Sequence, residues 1–191
     1  MSVILGNPIT LGGSSGTISA FQLTNLITNG SFEKDSGWTG VTYDSTQALY
    51  GKRSSKLAAD GLSMNNIAMP NPIVGHTYYG RHSFKTNGNA TPADCRFEWF
   101  AGDGEGLNFV FGWNTGNHPQ WYTESAVIPV TSVLGASYYI RNFTVNSGVE
   151  VWCDGLMIVD LTDAFGVGNE PSKEWCDENI PYFEGTFICF M

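Results

Sequence analysis

The sequence predicts an all-β sandwich, and three observations carry that prediction. Short runs, either alternating or wholly apolar, follow one another: Arg81-His82-Ser83-Phe84, Arg96-Phe97-Glu98-Trp99-Phe100, Asn108-Phe109-Val110-Phe111 and Tyr138-Tyr139-Ile140-Arg141-Asn142-Phe143. Asn-Gly, Gly-Asp-Gly and Asn-Ser-Gly turns punctuate them. The composition agrees: 14% aromatic and only 14% charged, with 23 glycines, suits half-buried strands joined by tight turns and is unlike disorder. At 191 residues the chain can bury one substantial core, and it shows no internal repeat.

The N-terminal stretch differs from the rest. Val3-Ile4-Leu5 is too short to bury itself, and Gly12-Gly13-Ser14-Ser15-Gly16 has the composition of a flexible linker. Residues 1–22 are therefore read as arm and linker; Val3, Ile4 and Leu5 either tuck onto the domain or serve as an assembly arm for a neighbouring subunit or particle. Residues 23–162 are the sandwich. Its last strand runs from Val149 to Asp160, where Val149, Val151 and Cys153 alternate with Glu150, Trp152 and Asp154 before an apolar run from Leu156 to Val159. Residues 163–191 form a C-terminal extension with one short helix. Asn169 is its expected cap, Glu170 and Pro171 its first turn, Ser172 to Glu178 its body and Pro181 its stop. Phe187-Ile188-Cys189-Phe190-Met191 is too apolar to hang in water, so it packs as an extra strand or lies in a subunit interface.

Charge and cysteine usage exclude several classes. A net charge of −9 argues against nucleic acid and against an anionic membrane. No secretory signal and no transmembrane run is visible, which predicts synthesis in a cytoplasm. Cys95, Cys153, Cys176 and Cys189 are widely spaced, with no Cys-x-x-Cys pair, so reduced and mostly buried thiols are expected. Catalysis finds little support. Asp94, Glu98, Asp103 and Glu105 could supply a carboxylate pair, but Asp103 and Glu105 sit in a glycine-rich turn. His76, His82 and His118 have no triad or zinc spacing.

Two resemblances add to this. Asn25-Leu26-Ile27-Thr28-Asn29-Gly30-Ser31-Phe32-Glu33 with Gly37-Trp38 resembles the opening of carbohydrate-binding modules with a β-jelly-roll fold. Tyr50-Gly51-Lys52-Arg53-Ser54-Ser55-Lys56-Leu57, Val74-Gly75-His76-Thr77-Tyr78-Tyr79, Trp121-Tyr122-Thr123 and Glu150-Val151-Trp152-Cys153-Asp154 follow in that family's order. The likeness implies a jelly roll of carbohydrate-binding-module type and one structural calcium. Its ligands would be Glu33, Asp154 and the backbone around Gly51 to Ser54; the alternative is that both carboxylates bond to backbone near Lys52 or Arg53. It also implies a glycan face. Sugars stack on exposed rings, and Trp113, Asn114, His118, Trp99 and Tyr122 are the candidates, with the polar stretch from Gly112 to Gln120 the best single place.

The second resemblance concerns Asp160-Leu161-Thr162-Asp163-Ala164-Phe165-Gly166-Val167-Gly168-Asn169-Glu170-Pro171-Ser172, which is similar to a segment of phage and prophage tail or other virion proteins. It implies a non-enzymatic virion component: a tail, baseplate, fibre or capsid-decoration subunit, oligomeric, attached to other virion proteins through its arm and C-terminal end. Weak adhesion to a surface glycan would be a second task. The alternative is a free carbohydrate-binding module whose main function is glycan binding.

Overall fold

The computed structural model describes residues 20–58, 63–91, 95–102, 107–114, 116–132, 135, 137–144 and 148–190. Two antiparallel sheets face each other, as the strand pattern and turn spacing predict. One has five strands, ordered β2 (Thr42–Asp44), β3 (Ser54–Ala58), β10 (Glu150–Asp160), β5 (Thr77–Thr86) and β8 (Tyr122–Pro129). The other has four, ordered β4 (Ser63–Met69), β9 (Tyr138–Thr144), β6 (Cys95–Gly102) and β7 (Leu107–Asn114). The consecutive strands β6 and β7 pair as a hairpin, whereas most other neighbours in the sheets are distant in sequence, as in a jelly roll.

Period-two alternation sends alternate residues to opposite sides of the five-stranded sheet. Tyr78 and Phe84 of β5 and Val151, Cys153, Leu156 and Ile158 of β10 pack between the sheets, against Phe97, Trp99 and Ile140. Tyr79, Met157 and Val159 point the other way into a second core. The C-terminal extension covers that second face. It contributes α1 (Leu161–Phe165), α2 (Lys173–Asn179) and β11 (Thr186–Phe190), the last paired antiparallel with β1 (Ala20–Thr24). The apolar C-terminal end is thus an extra strand. Its neighbour β1 begins at Ala20, inside the stretch read as linker; Val3, Ile4 and Leu5 lie outside the described residues.

The helix reading needs two corrections. Ser172, not Asn169, caps α2, its hydroxyl accepting from Trp175 N at 3.3 Å. Glu170 is drawn elsewhere: its carboxylate accepts from Thr162 Oγ1 at 2.5 Å and from Gly168 N at 2.8 Å. Those bonds brace α1, a single short helix capped by Asp160 that periodicity could not reveal in five residues. The segment from Asp160 to Ser172 is therefore a pair of caps joined by a tight turn.

The opening motif is structural throughout. Asn25 Oδ1 accepts from Ile27 N and Ile158 N, while its Nδ2 donates to Leu156 O and Phe183 O. Asn29, at φ 57, holds Lys34 and Ser36, and its carbonyl accepts from Trp38 Nε1 at 2.9 Å. Gly30 lies against β10 so closely that a Cβ there would sit 2.1 Å from Leu156 O. A Gly30→Ala variant should lose about 3 kcal/mol or more of stability, measured by urea unfolding; a change below about 1 kcal/mol would show that β10 yields at this contact.

Candidate functional site

The outer side of the four-stranded sheet carries the strongest constellation. Register fixes its rows. Asn66 pairs with Arg141 and Arg141 with Glu98, which in turn faces Gly112, so one row crosses all four strands. The next row sets Ala68 beside Tyr139 and Tyr139 beside Phe100. Arg141 Nε donates to Glu98 Oε2 at 2.5 Å, and its guanidinium lies 4.5 Å from the centre of the Phe100 ring. Phe100 and Tyr139 stack at 5.7 Å. Glu98 is almost wholly buried and Arg141 largely so. Gly112 leaves the approach over Glu98 shallow, since a Cβ there would meet Glu98 Cγ at 3.4 Å.

This is an aromatic shelf beside a rigid ion pair that offers both a donor and an acceptor. A buried pair of this kind is weak evidence of stability for its own sake, because desolvation offsets much of its Coulomb energy. Both helices pack on the other side of the molecule, α1 on β1 and β5 and α2 on β8.

The residues expected to bind glycan scatter. Trp99 is 1% exposed and meets Tyr78 edge-on in the core, so it has no face to offer a sugar. Strand alternation keeps Phe97 and Trp99 inward while Glu98 and Phe100 turn outward. Trp113 and Asn114 belong to β7, not to a loop; Trp113 stands opposite Phe97, and its side chain lies outside the described residues. Asn114 is exposed opposite Arg96, at the rim of the outer face. His118 and Tyr122 come together elsewhere, stacked at 4.1 Å at the end of β8. Alternation along Arg96 to Phe100 is the sequence signal that sets Glu98 and Phe100 on one face.

The carboxylates read as calcium ligands stand at the opposite sheet. Asp154 is fully buried, and its Oδ2 accepts from Leu49 N at 2.8 Å and Tyr50 N at 2.9 Å while Oδ1 accepts from Gly155 N at 2.8 Å. Glu33 Oε1 accepts from Lys52 N at 2.8 Å and Arg53 N at 3.0 Å. Gly51 is required beneath it, since a Cβ would lie 2.6 Å from Glu33 Cδ. Ser54 is buried, its hydroxyl donating to Gln47 O at 2.7 Å. Backbone donors thus hold both carboxylates, Glu33 at Lys52 and Arg53, and Asp154 at Leu49, Tyr50 and Gly155. Glu33 Oε2 meets no donor among the described residues, and Asp154 Oδ1 accepts a single bond, so two oxygens of the donor set remain suited to a hard cation.

Asp160, where β10 ends, makes a further contact: its Oδ2 lies 2.8 Å from His76 Nδ1. His82 is buried between the Phe84 and Phe97 rings, and desolvation pushes it down to about 3, so it stays neutral at ordinary pH. Cys153, Cys176 and Cys189 are buried thiols.

No protein-family model and no curated protein matches this chain. Solved structures do. A family 16 carbohydrate-binding module aligns over 70% of this chain and 99% of its own, with a TM-score of 0.57 and 18% identity. The CBM22-1 xylan-binding domain from Paenibacillus barcinonensis aligns over 72% and 92%, at 0.51 and 14%. The enzymatically active domain of tailspike protein 4 from bacteriophage CBA120 aligns over 71% of this chain but only 21% of its own, at 0.53 and 18%. The fold is that of the carbohydrate-binding-module jelly roll. Among the described residues no helix is long and apolar enough to cross a membrane.

Burial pushes the Asp154 carboxyl up to about 7, against the opposing pull of the Tyr50, Leu49 and Gly155 amides, and the nearby Glu33 charge adds to the rise. The folded state therefore holds this proton more tightly than the unfolded chain, whose carboxyl titrates near 3.8. Its contribution to stability is complete below the unfolded value and is lost as pH rises through about 7. Carbon-detected NMR of the Asp154 carboxyl should place its midpoint near neutrality; a midpoint below 4 would show that the three amides outweigh desolvation.

Proposed function

We propose that this chain is a glycan-binding protein whose binding face is the outer side of the four-stranded sheet. The observation that carries the reading is the juxtaposition of the Tyr139–Phe100 ring pair with the Arg141–Glu98 ion pair on one face of a carbohydrate-binding-module jelly roll. Sugars present apolar ring faces together with hydroxyls that both donate and accept. Tyr139 would supply the stacking surface, and Arg141 and Glu98 would fix orientation through hydrogen bonds. Asn66 extends the polar row toward β4. A shallow sheet face with one ring pair favours modest affinity, which repeated copies would raise through avidity.

Calcium belongs to this proposal as a structural ion. Glu33 Oε2 and Asp154 Oδ1 would hold it, with carbonyls of Gly51 to Ser54 completing the shell, and it would fasten the opening motif to β10. Bound cation would draw the Asp154 midpoint down, so the same carboxyl titration repeated with millimolar calcium tests it; an unmoved midpoint would remove the ion.

A second reading, attachment to a phage particle, is supported by the similarity to part of a phage tailspike and by the likeness of residues 160–172 to virion proteins. In that setting the same face would hold a host-surface glycan while the N-terminal arm and neighbouring copies provide attachment.

The central experiment is affinity electrophoresis in soluble polysaccharides, xylan and galactan among them, with Tyr139→Ala as the variant. Tyr139 is only partly buried, so its loss should spare the fold and weaken binding about tenfold, the equivalent of one aromatic contact. Undiminished binding by a folded Tyr139→Ala protein would move the site off this face.

A further inference from the structure

A cleft of about 500 Å³, within the range of small-molecule sites, lies where α2 meets β5 and β8. Tyr79 and Arg81 of β5, Thr123 and Ser125 of β8, and Lys173 and Asp177 of α2 line it. The register sets Arg81 opposite Ser125 and Ser83 opposite Thr123, with Tyr79 two residues before Arg81, so these strand residues share one face of the sheet. It is the face that carries α2, because Tyr79 and Ser125 both donate to Asp177 on that helix. Tyr122 and Glu124 also border the cleft, but they pair with Phe84 and His82 and alternate to the opposite face. Among the described residues, none of the four-stranded sheet lines it.

The charges on this face do not balance. Asp177 is engaged on both oxygens: its Oδ1 accepts from Tyr79 Oη at 2.8 Å and Ser125 Oγ at 2.5 Å, and its Oδ2 from Lys173 Nζ at 2.6 Å. That ion pair cancels one charge of each sign and leaves Arg81. Among the described residues Arg81 joins no ion pair. Its Nη1 donates to Ile180 O and its Nη2 to Tyr50 Oη, both at 3.3 Å, longer than the usual N–H···O bond. A guanidinium carries several N–H groups in a planar fork. Its Nε is sealed from solvent, but each terminal nitrogen keeps a further N–H with no partner among the described residues. Arg81 as a whole is only half-buried, so an anion can reach those terminal groups from the cleft. A partly desolvated charge gains from a directly bonded counter-charge.

We propose that this cleft holds the carboxylate of an acidic sugar unit, a hexuronate, against Arg81. One uncompensated positive charge matches one carboxylate, and the planar fork of an arginine suits its two oxygens. A dianion such as a phosphate ester would exceed that charge, and the chain's net −9 opposes it further. The sugar part of the ligand rests on the glycan reading above; its charge rests on Arg81 alone. Thr123 is exposed, and its hydroxyl, bonded to Ser83 Oγ at 2.8 Å, is braced to meet a ligand hydroxyl. Ser125 Oγ donates to Asp177 and keeps the capacity to accept from a second hydroxyl. The cleft thus presents a cation beside two hydroxyls on one face, the complement of a carboxylate on a polyhydroxylated ring.

The test is NMR titration of the full-length, isotope-labelled chain with D-glucuronate, with D-glucose as the neutral arm and acetate as the sugar-free arm. Backbone amides of Arg81, Thr123 and Ser125 should shift saturably with glucuronate, about tenfold more tightly than with either control. Arg81→Gln should weaken that response about tenfold, the effect of losing a charge-assisted contact, and Tyr139→Ala should leave it intact. Should Arg81→Gln fail to fold, Thr123→Ala, at an exposed position, should weaken it about fivefold, the loss of one neutral hydrogen bond. Glucose or acetate binding as tightly as glucuronate, or no saturable shift, would overturn the site. So would undiminished binding by the folded variant, or loss of the response in Tyr139→Ala. Neutral polysaccharide still bound by the four-stranded face would then leave the main reading standing, so the two failures are distinguishable.

Discussion

The buried Asp154 carboxylate ties this fold together. It sits on the central strand of the five-stranded sheet, where β10 bulges between Asp154 and Met157, and it accepts the amides of Leu49 and Tyr50 from a segment more than a hundred residues earlier. Gly155, at φ 63, packs directly beneath the Tyr50 ring, leaving no space for a Cβ. Tyr50 then stacks on Tyr182 of the C-terminal extension at 4.5 Å. One carboxylate and its neighbours thus join the early loop, the last strand and the C-terminal cover. Its cost is desolvation, and the three amides that surround it offset part of that cost.

This arrangement decides which faces can serve function. The side of the five-stranded sheet away from the sandwich core is occupied by α1, α2 and the β1–β11 ribbon, which bury Tyr79, Met157 and Val159. Among the described residues a cleft lies at its edge, beside β8. The four-stranded sheet has no such cover from either helix, and there alternation brings polar and aromatic residues together on the outer side. The extension that seals one sheet does not cover the other, whose outer side is the proposed surface for recognition. The same sandwich serves many purposes in other proteins, so the case for glycan binding rests on these side chains together with the fold.

Much of the fold was legible because it depends on local chemistry. Alternation located β5, β6, β9 and β10, and glycine turns bounded them. Trp38 of the opening motif is buried, and its indole donates to Asn29 O. What could not be read was the pairing across the sheets. Arg141 and Glu98 are 43 residues apart and become an ion pair only through the β6–β9 register. Trp99 misled because tryptophan is an attractive sugar platform in isolation, whereas its strand parity sends it inward. Asn169 misled as a cap because the more distant contacts of Glu170 with Thr162 pull the chain into a turn before the helix begins.

A direct test of the account is a glycan array probed with the whole chain, followed by mapping of the best ligand onto the backbone amides by NMR. The account predicts saturable binding to at least one neutral polysaccharide or its oligosaccharide, with shifts concentrated at Glu98, Phe100, Tyr139 and Arg141. No binding across the array, or a ligand whose shifts avoid β6 and β9, would contradict it.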